Sequence, residues 1–163
     1  MERAEATAII TRHCRTAGSG VLFDEAATTL YDLRVNRSLA IDLGRIKRAE
    51  AHSNRETSQP YLALLRDDGR QLFLTEFGIA FDPMPVNAAL ALPPVVCLRD
   101  FYTAISRIDH LLTAHPEAEG GKNALDAVSL SLSILGAARA IGFDVSREER
   151  ELDARLAAIE SAR

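Results

Sequence analysis

Tyr61-Leu62-Ala63-Leu64-Leu65-Arg66-Asp67-Asp68-Gly69-Arg70-Gln71-Leu72-Phe73-Leu74 reads as a β-hairpin. Two apolar runs flank a polar turn. Asp68-Gly69 suits a type I′ turn, in which both central residues take positive φ. Leu64 and Leu65 fall on opposite faces, as do Phe73 and Leu74. Apolar residues on both faces predict strands inside a sheet, covered from both sides.

Upstream of this hairpin the pattern stays strand-like from Val21. Leu30 to Val35 alternates loosely and predicts Tyr31, Leu33 and Val35 on one face. Asp24 to Thr29 reads either as strand or as a short helix capped by Asp24. Leu39, Ile41 and Leu43 alternate with small or polar residues as a strand does. His52 to Pro60 is polar and reads as a loop. Before all of this, residues 3–15 predict a helix with Ala6, Ile9, Ile10 and Cys14 toward one side, broken by the Thr16–Gly20 run of small residues.

Downstream, Phe77 to Phe81 adds a short strand. Pro83, Pro85, Pro93 and Pro94 then predict a connector, or an extended strap across the sheet, over 82–97. The rest is helical. Leu98, Phe101, Tyr102, Ile105, Ile108 and Leu112 recur at three- and four-residue steps, ending at His115-Pro116. Glu117 to Gly121 reads as a loop. Residues 123–141 form the next helix, with Leu125, Val128, Leu132 and Leu135 in rhythm and Ser129, Ser133 and Ala137 as a small-residue stripe. Val128 to Ile134 also alternates as a strand would, but its Ala-rich flanks favour helix. Gly142 terminates it. Ser146 with Glu149 three residues on is a capping box for a last helix, whose stripe is Leu152, Leu156 and Ile159.

These readings predict one α+β domain over 1–163. It comprises an N-terminal helix and loop (1–20), a β-rich part with its proline-rich connector (21–97) and a helical part (98–163). The fold class is an N-terminal, mostly antiparallel β-sheet followed by three C-terminal α-helices. A strand meander, a tight hairpin and a closing amphipathic helix follow one another as in pleckstrin-homology-type barrels. That similarity of order, carried by no residue motif, implies a partial barrel.

The 163 residues suffice for one core. Net charge −4 is no footprint for duplex nucleic acid, whose phosphates select a basic face. The opening Met1-Glu2-Arg3-Ala4-Glu5 has no apolar signal-peptide core, and no run reaches the ~20 apolar residues of a membrane span. The expectation is a cytoplasmic chain with no membrane partner. Its two cysteines, Cys14 and Cys97, are then reduced. The excess of Arg over Lys and the abundant Ala fit a GC-rich bacterial genome.

Motifs with known chemistry fail on their spacing. His13-Cys14-Arg15 to Gly20 superficially resembles a cysteine phosphatase loop, but Gly20 stands where that loop needs Arg. Gly120-Gly121-Lys122-Asn123 lacks both the earlier Gly and the Ser or Thr of a phosphate-binding loop. His110 and His115, near Asp109 and Glu117, do not have a zinc-ligand spacing. GxSxG, HExxH and GxGxxG are absent. No metal, cofactor or catalytic constellation is therefore implied.

Three functions remain. The leading expectation is a non-catalytic interaction or scaffold module that self-associates, most simply as a homodimer, through Leu125, Val128, Leu132, Leu135, Leu152, Leu156 and Ile159; another protein is the alternative partner. The second is a small-ligand-binding protein or enzyme. Its pocket would lie between the sheet and helix 98–114, reached by Cys97, Arg99, Tyr102 and His110. The third is phosphate or acidic-partner binding through Arg34, Arg37, Arg45, Lys47 and Arg48.

Overall fold

The computed structural model describes residues 1–16, 18–54, 57–82, 96–114 and 118–161, with the backbone alone at Val96 and 118–122. Helix α1 spans Arg3–Cys14. Strands β1 (Val21–Asp24), β2 (Thr29–Asp32) and β3 (Arg37–Ala40) follow. A 3-10 turn at Leu43–Arg45 leads to β4 (Ile46–Ser53), β5 (Pro60–Arg66), β6 (Gln71–Thr75) and β7 (Gly78–Phe81). The short β8 (Val96–Cys97) leads directly into α2 (Leu98–Ala114), and α3 (Ala118–Ala140) and α4 (Ser146–Ser161) complete the chain.

The fold is α+β, as expected, but the strands divide into two sheets. One has three strands in the order β1-β2-β3, the other five in the order β4-β5-β6-β7-β8, all pairs antiparallel. No barrel closes. The strand pattern breaks at the 3-10 turn, where Asp42 caps the Gly44 amide at 3.0 Å and turns the chain into the second sheet.

The hairpin forms at the expected place, with Leu62 opposite Leu74 and Leu64 opposite Leu72. Its turn is not type I′. Only Gly69 takes positive φ, at 82°, and its amide donates to the Arg66 carbonyl at 3.1 Å. Arg66 and Arg70 then close a three-residue loop, the type I turn with a left-handed glycine. Both faces of the sheet are covered. Leu62, Leu64, Leu72, Leu74, Ile79 and Phe81 enter the main core. Ala63, Phe73, Ala80 and Cys97 form a smaller cluster on the opposite face.

The first sheet corrects the predicted face of β2. Leu30 and Asp32 point inward, and Tyr31 and Leu33 are exposed. Asp24 to Thr29 is neither a helix nor continuous strand but a turn joining β1 to β2, held by the Asp24 carboxylate on the Ala27 amide at 3.1 Å. Asp32 is 1% exposed. Its carboxylate accepts the Arg34 amide and, across the sheets, the Ile79 amide, both at 3.0 Å. A Cβ on Gly78, whose φ is +111°, would lie 2.3 Å from that carboxylate. A Cβ on Gly20 would lie 2.5 Å from the Glu76 carbonyl. The sheets meet here at a distance only glycine permits.

The helices cover the main core. Leu98, Phe101, Ala104, Ile105 and Ile108 are the buried stripe of α2. Helix α3 begins at Ala118 rather than 123, so the expected loop over 118–121 is helical. The strand reading of Val128 to Ile134 fails, because Val128, Ser131, Ile134, Leu135 and Ala138 share a buried helical face. Gly142 does end α3. Its amide donates to the Arg139 carbonyl at 2.9 Å and the Phe143 amide to the Ala138 carbonyl at 3.0 Å, a Schellman motif. From β5, the Arg66 guanidinium also caps the Ile141 carbonyl at 2.7 Å.

The capping box of α4 is corrected. The Ser146 hydroxyl donates to the Asp144 carboxylate at 2.6 Å, while the Glu149 amide donates to the Val145 carbonyl. The proline-rich connector over 83–95, the helix end at His115-Pro116 and Glu117 lie outside the described residues.

Candidate functional site

The residues expected to line a ligand pocket do not converge. The seam between the second sheet and α2 is filled by Leu98, Phe101, Ile105 and Ile108. Cys97 lies in the smaller cluster, and burial, then the nearby Asp100 carboxylate, push its thiol up to about 12. It stays a protonated, inert side chain at neutral pH. Arg99 stacks over the Phe77 ring at 4.3 Å. His110 is exposed. Tyr102 is engaged elsewhere.

That engagement centres on Glu148, a residue the sequence reading assigned only to a first helical turn. Its side chain is fully buried, and Arg37 of β3 lies against it with Nε 2.8 Å from Oε1 and Nη2 3.2 Å from Oε2. The Tyr102 hydroxyl donates to Oε1 at 3.0 Å and accepts from Arg147 Nη2 at 2.7 Å. Arg37 further donates to the Asp144 carbonyl and lies 5.7 Å from the Phe143 ring centroid. Burial, the largest cause, raises the Tyr102 phenol above its usual range. A buried carboxylate demands such partners. The geometry ties the first sheet to α2 and α4, and Glu148 exposes no surface to an outside reactant.

The basic segment is similarly consumed. Arg34 donates to the Glu76 carbonyl at 3.1 Å, Arg45 pairs with Asp67 and Asp68, and Arg48 pairs with Glu50. Arg37 is held by Glu148. The five cations are shared among β3, the 3-10 turn, β4 and the link after β2, each Arg facing its own acceptor. Lys47 is exposed.

The expected association residues separate into two sets. Val128, Leu135, Leu152 and Ile159 belong to the chain's own core. Leu125 and Leu156 are half-buried, and Leu132 is 56% exposed. On α3, Ser129, Ser133 and Gly136 are exposed beside Leu125 and Leu132, and together they make the outer face. Ala137 is buried and leaves the stripe; Gly136 takes its place. A Cβ on Gly136 would meet nothing within 4 Å. Among the described residues no packing demands this glycine, although glycine inside a helix costs about 1 kcal/mol relative to alanine. A lone glycine within a helical pattern was the available signal for it.

On the other flank of α3, Asp100, Thr103, Arg107, Asn123, Asp126 and Leu130 border a groove of about 450 Å³ against α2. Its lining surface is mainly apolar, with Ala104 and Ala127 at its floor beside the polar side chains, and its volume falls in the range of small-molecule sites. Among the described residues, no group of three or more His, Cys, Asp or Glu could hold a metal ion, and no helix is long and apolar enough to cross a membrane. Asp109, beside the predicted His110–His115 pair, is held by both Nε and Nη2 of Arg155. Comparison with family models, with curated proteins and with solved structures finds no match to this chain.

Proposed function

We propose that this chain is a non-catalytic interaction module that self-associates through the outer face of α3. The observation that carries the reading is Gly136, an exposed glycine in mid-helix whose lack of a side chain serves no contact among the described residues. Exposed Leu132 beside it, with Ser129 and Ser133, makes a face that a second helix can approach closely. Small residues permit the approach, and Leu132 supplies apolar area that leaves water on contact.

This contact differs from the one expected from sequence, since the α4 stripe largely serves the internal core. It also separates association from folding. Leu132→Arg changes an exposed side chain and should leave thermal unfolding nearly unchanged while shifting the dimer to monomer in light scattering at micromolar concentration. Gly136→Ala should raise helix stability by about 0.5–1 kcal/mol and weaken the dimer. A wild-type chain that scatters as a monomer, or a dimer indifferent to both changes, rejects the reading.

A ligand-binding reading attaches to the α2–α3 groove rather than to the sealed seam beneath α2. Its motive is that Arg107 and Asp126 both line it, with no ion pair between them among the described residues. Native mass spectrometry, in which a retained small mass is lost on Arg107→Ala, would favour it.

A further inference from the structure

Helix α1 buries Ala6, Ile10 and His13 against the body of the molecule. Two of these are apolar. The third is an imidazole, 9% exposed, with the Leu74 carbonyl of β6 as its hydrogen-bond acceptor. Its Nε2 is buried and has no hydrogen-bond partner among the described residues. The neutral ring fits this setting: one N–H faces the Leu74 carbonyl, and the other nitrogen is buried with no hydrogen-bond partner among the described residues. The charged ring does not fit, because its second N–H would need an acceptor there.

We propose that His13 is a pH-sensitive latch: protonation of its ring releases α1 from the sheet while the rest of the core stays folded. Helix α1 is joined to the body through a short Gly- and Ser-containing segment. Apart from its buried side chains, its polar tie is the Thr11 hydroxyl on the Glu25 carboxylate at 2.5 Å. Detaching it exposes Ala6, Ile10 and His13 together with the surface of β1, the 3-10 turn, β4 and β5 that the helix covers.

The carboxylate that touches α1, Glu25, accepts the Thr11 hydroxyl, and among the described residues none is paired with the His13 ring. Beside His13 on its own helix, burial pushes the Cys14 thiol up to about 11, so that group stays neutral. The elements packed against α1 are β1, the 3-10 turn, β4 and β5. On β1, Asp24 holds the Ala27 amide. On the turn, Arg45 pairs with Asp67 and Asp68. On β4, Glu50 sits between Arg48 and His52, and Lys47 is exposed. On β5, Arg66 pairs with Asp68. Strand β6, which provides the Leu74 carbonyl, has no titratable side chain.

Burial, the larger effect, lowers the His13 pKa from 6.5, against the opposing pull of the Leu74 carbonyl. The docked helix thus binds the proton less readily than the free one. Docking is at full strength above 6.5 and weakens as pH falls from there through the docked value. The loss is at most about tenfold in the docking equilibrium per pH unit. Asp32 acts in the opposite sense, as its pKa is raised, so acid loosening does not come from it.

The test is hydrogen exchange on the full chain at about pH 7 and about pH 5, corrected for the intrinsic rate. In the wild type, α1 amides should lose protection relative to β5 and β6, by up to about tenfold per pH unit; His13→Leu should abolish that difference. His52→Gln and His110→Gln should retain it. Equal α1 protection at both pH values, or an unaltered fall in His13→Leu, overturns the proposal. If His13→Leu fails to fold, NMR titration of the wild-type imidazole decides. A midpoint below 6.5 that coincides with loss of α1 protection supports the latch, and a His13 that titrates at or above 6.5 with α1 still protected overturns it.

Discussion

Asp32 lies inside the molecule although the local apolar alternation points its neighbours Tyr31 and Leu33 inward instead. Desolvation raises its pKa, against the pull of the Ile79, Arg34 and Val35 amides. The folded chain therefore holds this proton to higher pH than the unfolded chain. Between the ordinary value of 3.8 and the raised folded value, its contribution to stability falls as pH rises. Asp32→Asn should flatten that slope, seen as urea midpoints compared from about pH 4 to about pH 7. Asp32→Ala should cost about 1–3 kcal/mol, because it strands the buried Ile79 amide. This residue also explains the inverted face of β2. Tyr31 and Leu33 are greasier than Asp32, so local alternation points them inward. The bond that rewards burying Asp32 comes from a residue 47 positions away, beyond the reach of any local pattern.

Among the elements, those whose apolar side chains repeat over several turns or cross a tight hairpin were legible. The stripe of α2 and the paired Leu62–Leu74 strands are examples. Boundaries and caps were less so, since one polar side chain can serve several amides. The Ser146–Glu149 spacing fits a capping box, yet Asp144 captures the Ser146 hydroxyl first. Gly142 was readable because its backbone requirement is local. It sits at φ +99° with open space where a Cβ would go. Gly142→Ala should thus lower stability by about 1–2 kcal/mol through backbone strain alone, measured by thermal or urea unfolding. Gly136 offers the contrast, since its helical backbone accepts alanine and the same substitution there should stabilise the chain.

At the scale of the molecule, the three parts converge on Glu148. Arg37 comes from the first sheet, Tyr102 from α2 and Glu148 from α4. Glu148→Ala should destabilise the chain by about 3–5 kcal/mol, because it leaves Arg37 half-buried without its counterion. The double variant Arg37→Leu, Glu148→Leu should lose less than Glu148→Ala alone, which urea unfolding would reveal. None of this network was legible. Its charges sit in segments that read locally as a basic cluster and a helical first turn. The candidate association face was half legible: Leu132 and the serines stood out, but only the fold separates them from Leu135 and Val128, which the core claims.

Among the described residues, strand β8 pairs with β7 at Ala80 and Phe81 only, and the beginning of β7 has no strand beside it on that side. The Asp32 carboxylate occupies the vacancy by taking the Ile79 amide. The first sheet thereby serves as a stopper for the second. A foreign strand seeking to extend the row along β7 finds the Ile79 donor already spoken for.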